Sequence, residues 1–418
     1  MGSAGAPPVP ADDAAAPRIP AHRVGSVPVA GSAVTRLTLT DFRCYARLRL
    51  EVAPTPVVLT GPNGAGKTNV LEALSLLTPG RGLRGARLGE ITRHGATAPD
   101  GRDGAWAVAA TVEGGPGGPV SLGSGLEPGG ASERRVTRIN GETVRGQAAL
   151  GAHVNALWLT PAMDGLFRDG ASERRRFLDR LVTTLDPDHT GRAAAYAHAL
   201  RERARLLREN RGENRGESLT GGRAASWLDA LEDTLARHGV AVAAARRDLV
   251  ARLGAALTAA EGPFPRATVA LEGTVEGWLG DMPALAAEDR LRAALAADRR
   301  ADAETGGATV GPHRADLLVR HAGRDLPAAL CSTGEQKAVL IALILAQARV
   351  ATAARGRPPL LLLDEVVAHL DATRRAALAE ALVTLGAQAW LTGTDAALFS
   401  DFDETAQILR LVDGNLID

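Results

Sequence analysis

The stretch Gly61-Pro62-Asn63-Gly64-Ala65-Gly66-Lys67-Thr68 satisfies the pattern G-x-x-x-x-G-K-[ST] at every position. The apolar run Val57-Val58-Leu59 leads into it, and Asn69 to Leu74 continue as a helix, so strand, loop and helix occur in the required order. Val34, Leu37 and Leu39, with polar residues between them, and then Leu48 to Val52 read as two earlier strands. The glycines let backbone N–H groups curl around phosphate oxygens, and the following helix turns its positive end toward them. Lys67 would neutralise phosphate charge, Thr68 would give its hydroxyl to Mg²⁺, and Asn69 continues the same binding surface. A glycine-rich turn before a helix is the bland alternative. The complete match and its context argue against it.

A second element stands near the other end of the chain. Pro358-Pro359-Leu360-Leu361-Leu362-Leu363-Asp364-Glu365 reads as a buried strand ending in two adjacent carboxylates. Such a Walker B strand places Asp364 on Mg²⁺ and Glu365 on the attacking water as general base. An acidic helix start after a core strand would explain a lone Asp-Glu pair, but not one that accompanies a phosphate loop.

Cys331-Ser332-Thr333-Gly334-Glu335-Gln336-Lys337 opens a strongly apolar helical run. Ser332 and Gly334 at a helix N-terminus offer a hydroxyl and backbone N–H groups to an anion. Ser332 with Glu335 three residues later is equally a capping box, which accounts for both residues without any ligand. The company of the two other motifs favours the anion.

The remaining composition bounds the function class. At 418 residues the chain exceeds the roughly 250 at which single cores stop growing, so two or three compact units are expected. The run of about 18 uninterrupted apolar residues that marks a membrane span is missing, so the chain is expected to be soluble with no membrane partner, and its two lone cysteines fit a reduced cytoplasm. Two cysteines, Cys44 and Cys331, form neither a disulfide framework nor a metal spacing. Basic and acidic residues balance at 48 each, so any contact with nucleic acid must come from a local patch. Lys67 and Lys337 are the only lysines beside 46 arginines. An ammonium and a guanidinium are not interchangeable in a tight site, so both lysines invite a local reason. For Lys337 that reason is expected to be closeness to the nucleotide or a dimer interface.

Together the motifs resemble those of ABC-type ATPases. In that class the signature element, here Ser332 and Gly334, faces the γ-phosphate held by another subunit, which implies ATP-dependent dimerisation. His369-Leu370-Asp371 resembles the D-loop, and Thr392 or Thr394 stands where the class carries a switch residue, usually His. Too much chain separates Lys67 from Ser332 for a transporter subunit, the a/d heptads of a long coiled coil are missing, and so are the Cys pairs of zinc-bearing relatives.

Five ordered blocks from Leu37 onward narrow the resemblance to the RecF family of DNA replication and repair proteins. Leu39-Thr-Asp-Phe-Arg-Cys-Tyr45 resembles its Asn-Phe-Arg-Asn-Tyr opening, and Gly61 to Ala73 its Walker A block with continuation. Thr160-Pro161 with Arg174-Arg-Arg-Phe-Leu-Asp179, then Gly311-Pro-His-Arg-Ala-Asp316, and then Ser332 to Leu345 resemble the other three. Asp364-Glu-Val-Val-Ala-His-Leu-Asp371 keeps the family's acids and D-loop Asp but lacks its Ser-Glu pair, and Gln147 is the one candidate found for a Q-loop glutamine. The resemblance implies an α/β fold, with an ABC-type P-loop ATPase head of mixed sheet and helices and an inserted, mainly α-helical lobe. It also implies a weak Mg-dependent ATPase coupled to DNA binding, ATP and Mg²⁺ as cofactors, and homodimerisation on ATP. The implied substrate is gapped or damaged DNA, with RecO and RecR as partners, recombinase loading as the task, and support of the SOS response. A non-hydrolytic, ATP-gated scaffold and a transporter ATPase subunit are the alternatives.

The expected domains are a disordered tail over 1–33, a head over 34–164 and 304–418, and a helical lobe over 165–303. Helical patterns fall at 172–185, 191–210, 224–260 and 283–303, with the tandem repeat Asn210 to Glu217 as a loop. Trp227, Leu228, Leu231 and Leu235 share a helical face expected to be core. Arg134, Arg135 and Arg138, and Arg174, Arg175 and Arg176, are the candidate phosphate contacts for DNA. His94, His313 and His369 are expected in loops or caps rather than in chemistry.

Overall fold

A computed structural model describes residues 29, 31–97, 104–115, 117–127, 133–209 and 222–417. The expected tail and the tandem repeat lie outside the described residues, apart from a few at the end of the tail. In chain order the elements begin with β1 (Ala33–Phe42), β2 (Tyr45–Glu51), β3 (Val57–Thr60), α1 (Lys67–Ser75) and α2 (Leu88–Ile91). Then come β4 (Ala107–Glu113), β5 (Val120–Leu126), β6 (Arg135–Ile139), β7 (Glu142–Val144) and β8 (Ala156–Leu159). A helical stretch follows: α3 (Ala171–Thr183), α4 (His189–Glu209) and α5 (Gly222–Thr258), then β9 (Ala267–Glu272), α6 (Thr274–Asp281), α7 (Ala284–Ala297) and α8 (Arg299–Thr305). The chain ends with β10 (Asp316–His321), β11 (Leu326–Pro327), α9 (Thr333–Arg355), β12 (Leu360–Leu363), α10 (Ala372–Leu385), β13 (Ala389–Gly393), β14 (Gln407–Val412) and β15 (Asn415–Ile417).

The chain divides into two compact units, one of Met1–Met163, Glu261–Phe264 and Ile344–Asp418, the other of Asp164–Ala260 and Pro265–Leu343. The first unit holds two six-stranded sheets. One is antiparallel, in the order β2-β1-β4-β5-β6-β7. The other runs β15-β14-β3-β13-β12-β8 and is parallel except for the β14/β15 hairpin. Strands β3, β12 and β13 are buried along their whole length, so they read as continuous apolar runs instead of alternating ones. Leucine favours helices, yet Leu360 to Leu363 form a strand because two prolines precede them and the run is too short to close helical turns. Fully buried Gln388 links the unit's sheets, its side chain bonding Val34 N at 2.8 Å and Val34 O at 3.0 Å.

The second unit packs α4 to α7 around Tyr196, Leu235, Ala236, Val240, Val275 and Leu291. It also contains the antiparallel sheet β11-β10-β9. This unit continues to Leu343, beyond the expected break at 303/304, because β10 pairs with β9 through six residue pairs. The helical pattern at 283–303 is two helices divided at Asp298, whose carboxylate accepts from Thr309 Oγ1 at 2.9 Å. Trp227 is a second correction: Leu228 and Leu235 are core, but Trp227 is 55% exposed. By length and composition α9 could cross a membrane, but most of it is buried within the protein.

Candidate nucleotide-binding site

Strand β3 delivers Gly61 at the C-terminal edge of the parallel sheet, where α/β folds hold their ligands. Gly61 has φ 145°, and a Cβ there would stand 2.0 Å from Leu411 O. Gly66 has φ 98°, with a Cβ position 2.3 Å from Tyr45 Oη, so the loop lies against the turn between β1 and β2. No side chain caps α1, whose first turn closes on the Gly66 carbonyl with Asn69 N at 2.9 Å and Val70 N at 3.2 Å, and the positive end of the helix faces the loop. Lys67 Nζ donates to Gly61 O at 2.7 Å and Pro62 O at 2.8 Å, which takes two of its three protons. Burial pulls the Lys67 ammonium below its ordinary value, while Glu365 and Asp364 hold it up. Gly61 to Thr68 therefore form a cradle of backbone donors with one buried cation.

Walker B closes this cradle. Thr68 Oγ1 donates to Asp364 Oδ1 at 2.9 Å and lies 3.1 Å from Oδ2. Strand β13 runs between β3 and β12, and its Thr392 is fully buried there. The Thr392 hydroxyl donates to Asp364 Oδ1 at 2.7 Å and accepts from Glu365 N at 3.0 Å. Thr394 is exposed, so of the two switch candidates Thr392 is the one joined to both acids. Glu365 adopts φ 50°, a left-handed conformation that costs a non-glycine residue roughly 1–2 kcal/mol and turns the chain sharply after the strand. Among the described residues no three His, Cys, Asp or Glu side chains gather as a metal cage. A hydroxyl beside one carboxylate fits Mg²⁺, which keeps water and phosphate among its ligands.

Several neighbours escaped the sequence reading. Buried Glu72 receives Arg43 through Nε at 2.9 Å and Nη2 at 2.6 Å, and Arg84 Nη1 at 2.7 Å. Arg84 also donates to Asn69 Oδ1 at 2.8 Å, and Asn69 Nδ2 donates to Cys44 Sγ at 3.1 Å. These contacts brace the first turns of α1 against the β1/β2 turn, and no local pattern announces them. Asp371 caps α10 by accepting from Arg374 N at 2.8 Å, and His369 beside it is exposed with φ 69°. The Gln147 side chain accepts from Gly80 N at 3.0 Å, which ties it to the loop after α1.

In the second unit Ser332 and Thr333 are exposed at the start of α9, and the position beside Gly334 is open. The capping box forms: Glu335 Oε2 accepts from Ser332 N at 3.0 Å and from Ser332 Oγ at 2.9 Å. Lys337 departs from its expectation, since it points inward, buried, 3.8 Å from Asp164 Oδ2.

Three of the six arginines proposed for DNA are spent inside the protein. Arg135 donates to Ser124 Oγ at 2.7 Å, Gly80 O at 2.6 Å and Leu76 O, and burial pushes its pKa down to about 10. Arg174 grips Asp316 with two bonds of 2.7 Å, and Arg175 donates to Ala315 O at 2.7 Å. Arg134 and Arg176 remain exposed, with Glu127 and Glu173 as neighbours. His313 stands in the short turn Pro312–Arg314, half-buried: its Nδ1 meets Tyr196 Oη at 2.7 Å and its Nε2 meets Ala308 O at 3.0 Å, and burial lowers its pKa. His94 is exposed.

Residues 33–415 match the family model described as RecF/RecN/SMC N terminal domain. The chain is 46% identical over 385 residues to the DNA replication and repair protein RecF of Mesorhizobium japonicum, covering 92% of this chain and 97% of that one. It is 48% identical over 392 residues to the protein of the same name from Caulobacter vibrioides, with 93% and 98% covered. A solved structure described as the recombination mediator protein RecF-ATPrS in the RecFOR pathway superposes with TM-score 0.76 over 93% of this chain and 98% of its own, at 22% identity.

Proposed function

The chain belongs to the RecF family, and from that premise we propose that it is an ATP-dependent DNA-binding repair protein that dimerises on ATP at gapped or damaged DNA. The observation that carries this reading is the meeting of Thr68 and Asp364, which joins phosphate cradle and acidic strand into one center. ATP occupies the loop from Gly61 to Asn69, with its terminal phosphate near Lys67. Thr68 and Asp364 would hold Mg²⁺, which supplies charge neutralisation between the phosphates. Glu365 takes the proton of the attacking water, and Thr392 keeps both acids oriented. Ser332 and Gly334 of a second molecule complete the phosphate shell, so dimer closure follows from nucleotide already bound by the monomer. Slow hydrolysis reopens the dimer.

The first unit carries the phosphate cradle as the head, and the second, with its helices and the Ser332 element, serves DNA or the dimer. Names carried by relatives support DNA replication and repair as the setting, and the pathway in the solved structure's description supports RecO and RecR as partners. The cytoplasm is the compartment in this reading. Sedimentation with ATP and gapped duplex DNA tests it. The wild-type chain dimerises on ATP and cosediments with DNA, while Ser332→Arg stays monomeric yet binds nucleotide. Normal dimerisation by Ser332→Arg would remove the composite site, and ATP-independent DNA retention would remove the coupling.

A further inference from the structure

The capping box that orders Ser332 carries an electrostatic cost for the role just proposed. Its carboxylate lies beside the hydroxyl that is to face a polyanionic phosphate, and like charges at such a contact oppose association. Glu335 is held in its charged form, since bonds from Ser332 N and Oγ keep its carboxyl below the ordinary range. Something must offset that charge.

Arg324 does so. Its Nη2 lies 2.6 Å from Glu335 Oε1, the oxygen that Ser332 leaves unused. The turn between β10 and β11 holds it there. Ala322 N donates to Arg266 O at 2.8 Å, and Asp325 adopts φ 49°. Arg320 Nη2 clamps the far side of the turn, at 2.6 Å from Asp325 O and 2.8 Å from Asp325 Oδ1. No motif read from the sequence includes Arg324. We propose that Arg324 is a positioning residue that acts through Glu335, neutralising the capping carboxylate so that Ser332 can receive the partner's nucleotide phosphate. This rests on the composite-site reading above. Arg324 itself touches no reacting atom in this scheme.

The test is a set of five chains: wild type, Arg324→Gln, Arg324→Lys, Glu335→Gln and the double variant of Arg324→Gln with Glu335→Gln. Each is compared by sedimentation with Mg-ATP, beside nucleotide binding by the monomer. Glutamine at 335 keeps an oxygen for the Ser332 bonds but carries no charge. Arg324→Gln should weaken ATP-dependent dimerisation about tenfold or more with monomer nucleotide affinity unchanged. Arg324→Lys should recover most of the loss. Glu335→Gln and the double variant should both dimerise nearly as the wild type does. An Arg324→Gln chain that dimerises normally overturns the proposal. So does a double variant as weak as Arg324→Gln, because Arg324 would then meet the phosphate directly. A wild type that stays monomeric with ATP instead overturns the composite site itself, and this proposal with it.

Discussion

Thr392 on β13 and Asp364, which follows directly on the adjacent parallel strand β12, are joined by a buried 2.7 Å hydrogen bond, and the same threonine oxygen receives the Glu365 amide. Replacement by valine keeps the shape and deletes both bonds. Thr392→Val should cost about 1–3 kcal/mol of stability, because a carboxylate and an amide lose their partner. ATP turnover should fall on the order of a hundredfold as the acids lose register. Phosphate release and nucleotide affinity, measured together, check this: affinity should stay near wild type, and Thr392→Ser should restore turnover.

Lys67 gives a pH signature. Its folded pKa is depressed, so in the window below 10.5 the unfolded chain holds more protons than the folded one, and stability rises with pH there. Nucleotide affinity runs the other way, since a neutral amine no longer attracts phosphate. Denaturation and nucleotide titrations across that window should show these opposite trends, and Lys67→Met should abolish both. Lys67→Arg should lose nucleotide, because a planar guanidinium does not fit between Gly61 O and Pro62 O.

Asp179 anchors the second unit. Burial alone would raise its pKa, but bonds from His189 Nε2 at 2.8 Å and from Arg246 at 2.8 Å through both Nε and Nη2 outweigh that and hold it low. Its contribution is present above the ordinary aspartate range and is lost as pH falls through the depressed value. Asp179→Asn should cost about 3–5 kcal/mol, leaving Arg246 buried without its carboxylate. Urea denaturation at neutral and acid pH measures this, and the difference between variant and wild type should shrink in acid.

Gly61 has the least tolerance in the loop. A methyl group at φ 145° meets a backbone oxygen at 2.0 Å, and backbone cannot move aside as a flexible side chain would. Gly61→Ala should displace the loop, abolish nucleotide binding and cost at least about 1–3 kcal/mol. Gly64→Ala meets nothing within 4 Å and should retain far more binding, its φ of 84° notwithstanding. Calorimetric titration of the two variants separates the cases.

The cradle and both acids were legible because each occupies a contiguous stretch whose residue order is the chemistry. Thr392 was legible only as one of a pair. Alternation would give the two the same face; what separates them is that β13 ends at Gly393, so Thr392 is enclosed in the sheet beside Asp364 while Thr394 lies exposed beyond the strand's end. The contacts of Arg43 and Arg84 with Glu72 join residues far apart in the chain, and no periodicity encodes them. The arginine triplet misled for a geometric reason. Successive helix residues point roughly 100° apart, so Arg174, Arg175 and Arg176 cannot share one face, and they go to Asp316, Ala315 O and Glu173. Strand β9 was missed because its alternation lies inside an otherwise helical stretch, where it is paired by residues that follow much later.

Strand β3, which carries the phosphate loop, has β13 and β14 as its two neighbours, and both follow Gln388 in sequence. During synthesis the loop therefore emerges early and waits. Until β13 and β14 leave the ribosome, β3 has two open edges and Gly61 has no Leu411 behind it, so a nascent chain short of Leu411 cannot assemble the nucleotide site. Only a polypeptide extended past Leu411 can be active, which guards against shorter fragments that would bind ATP without the means to use it.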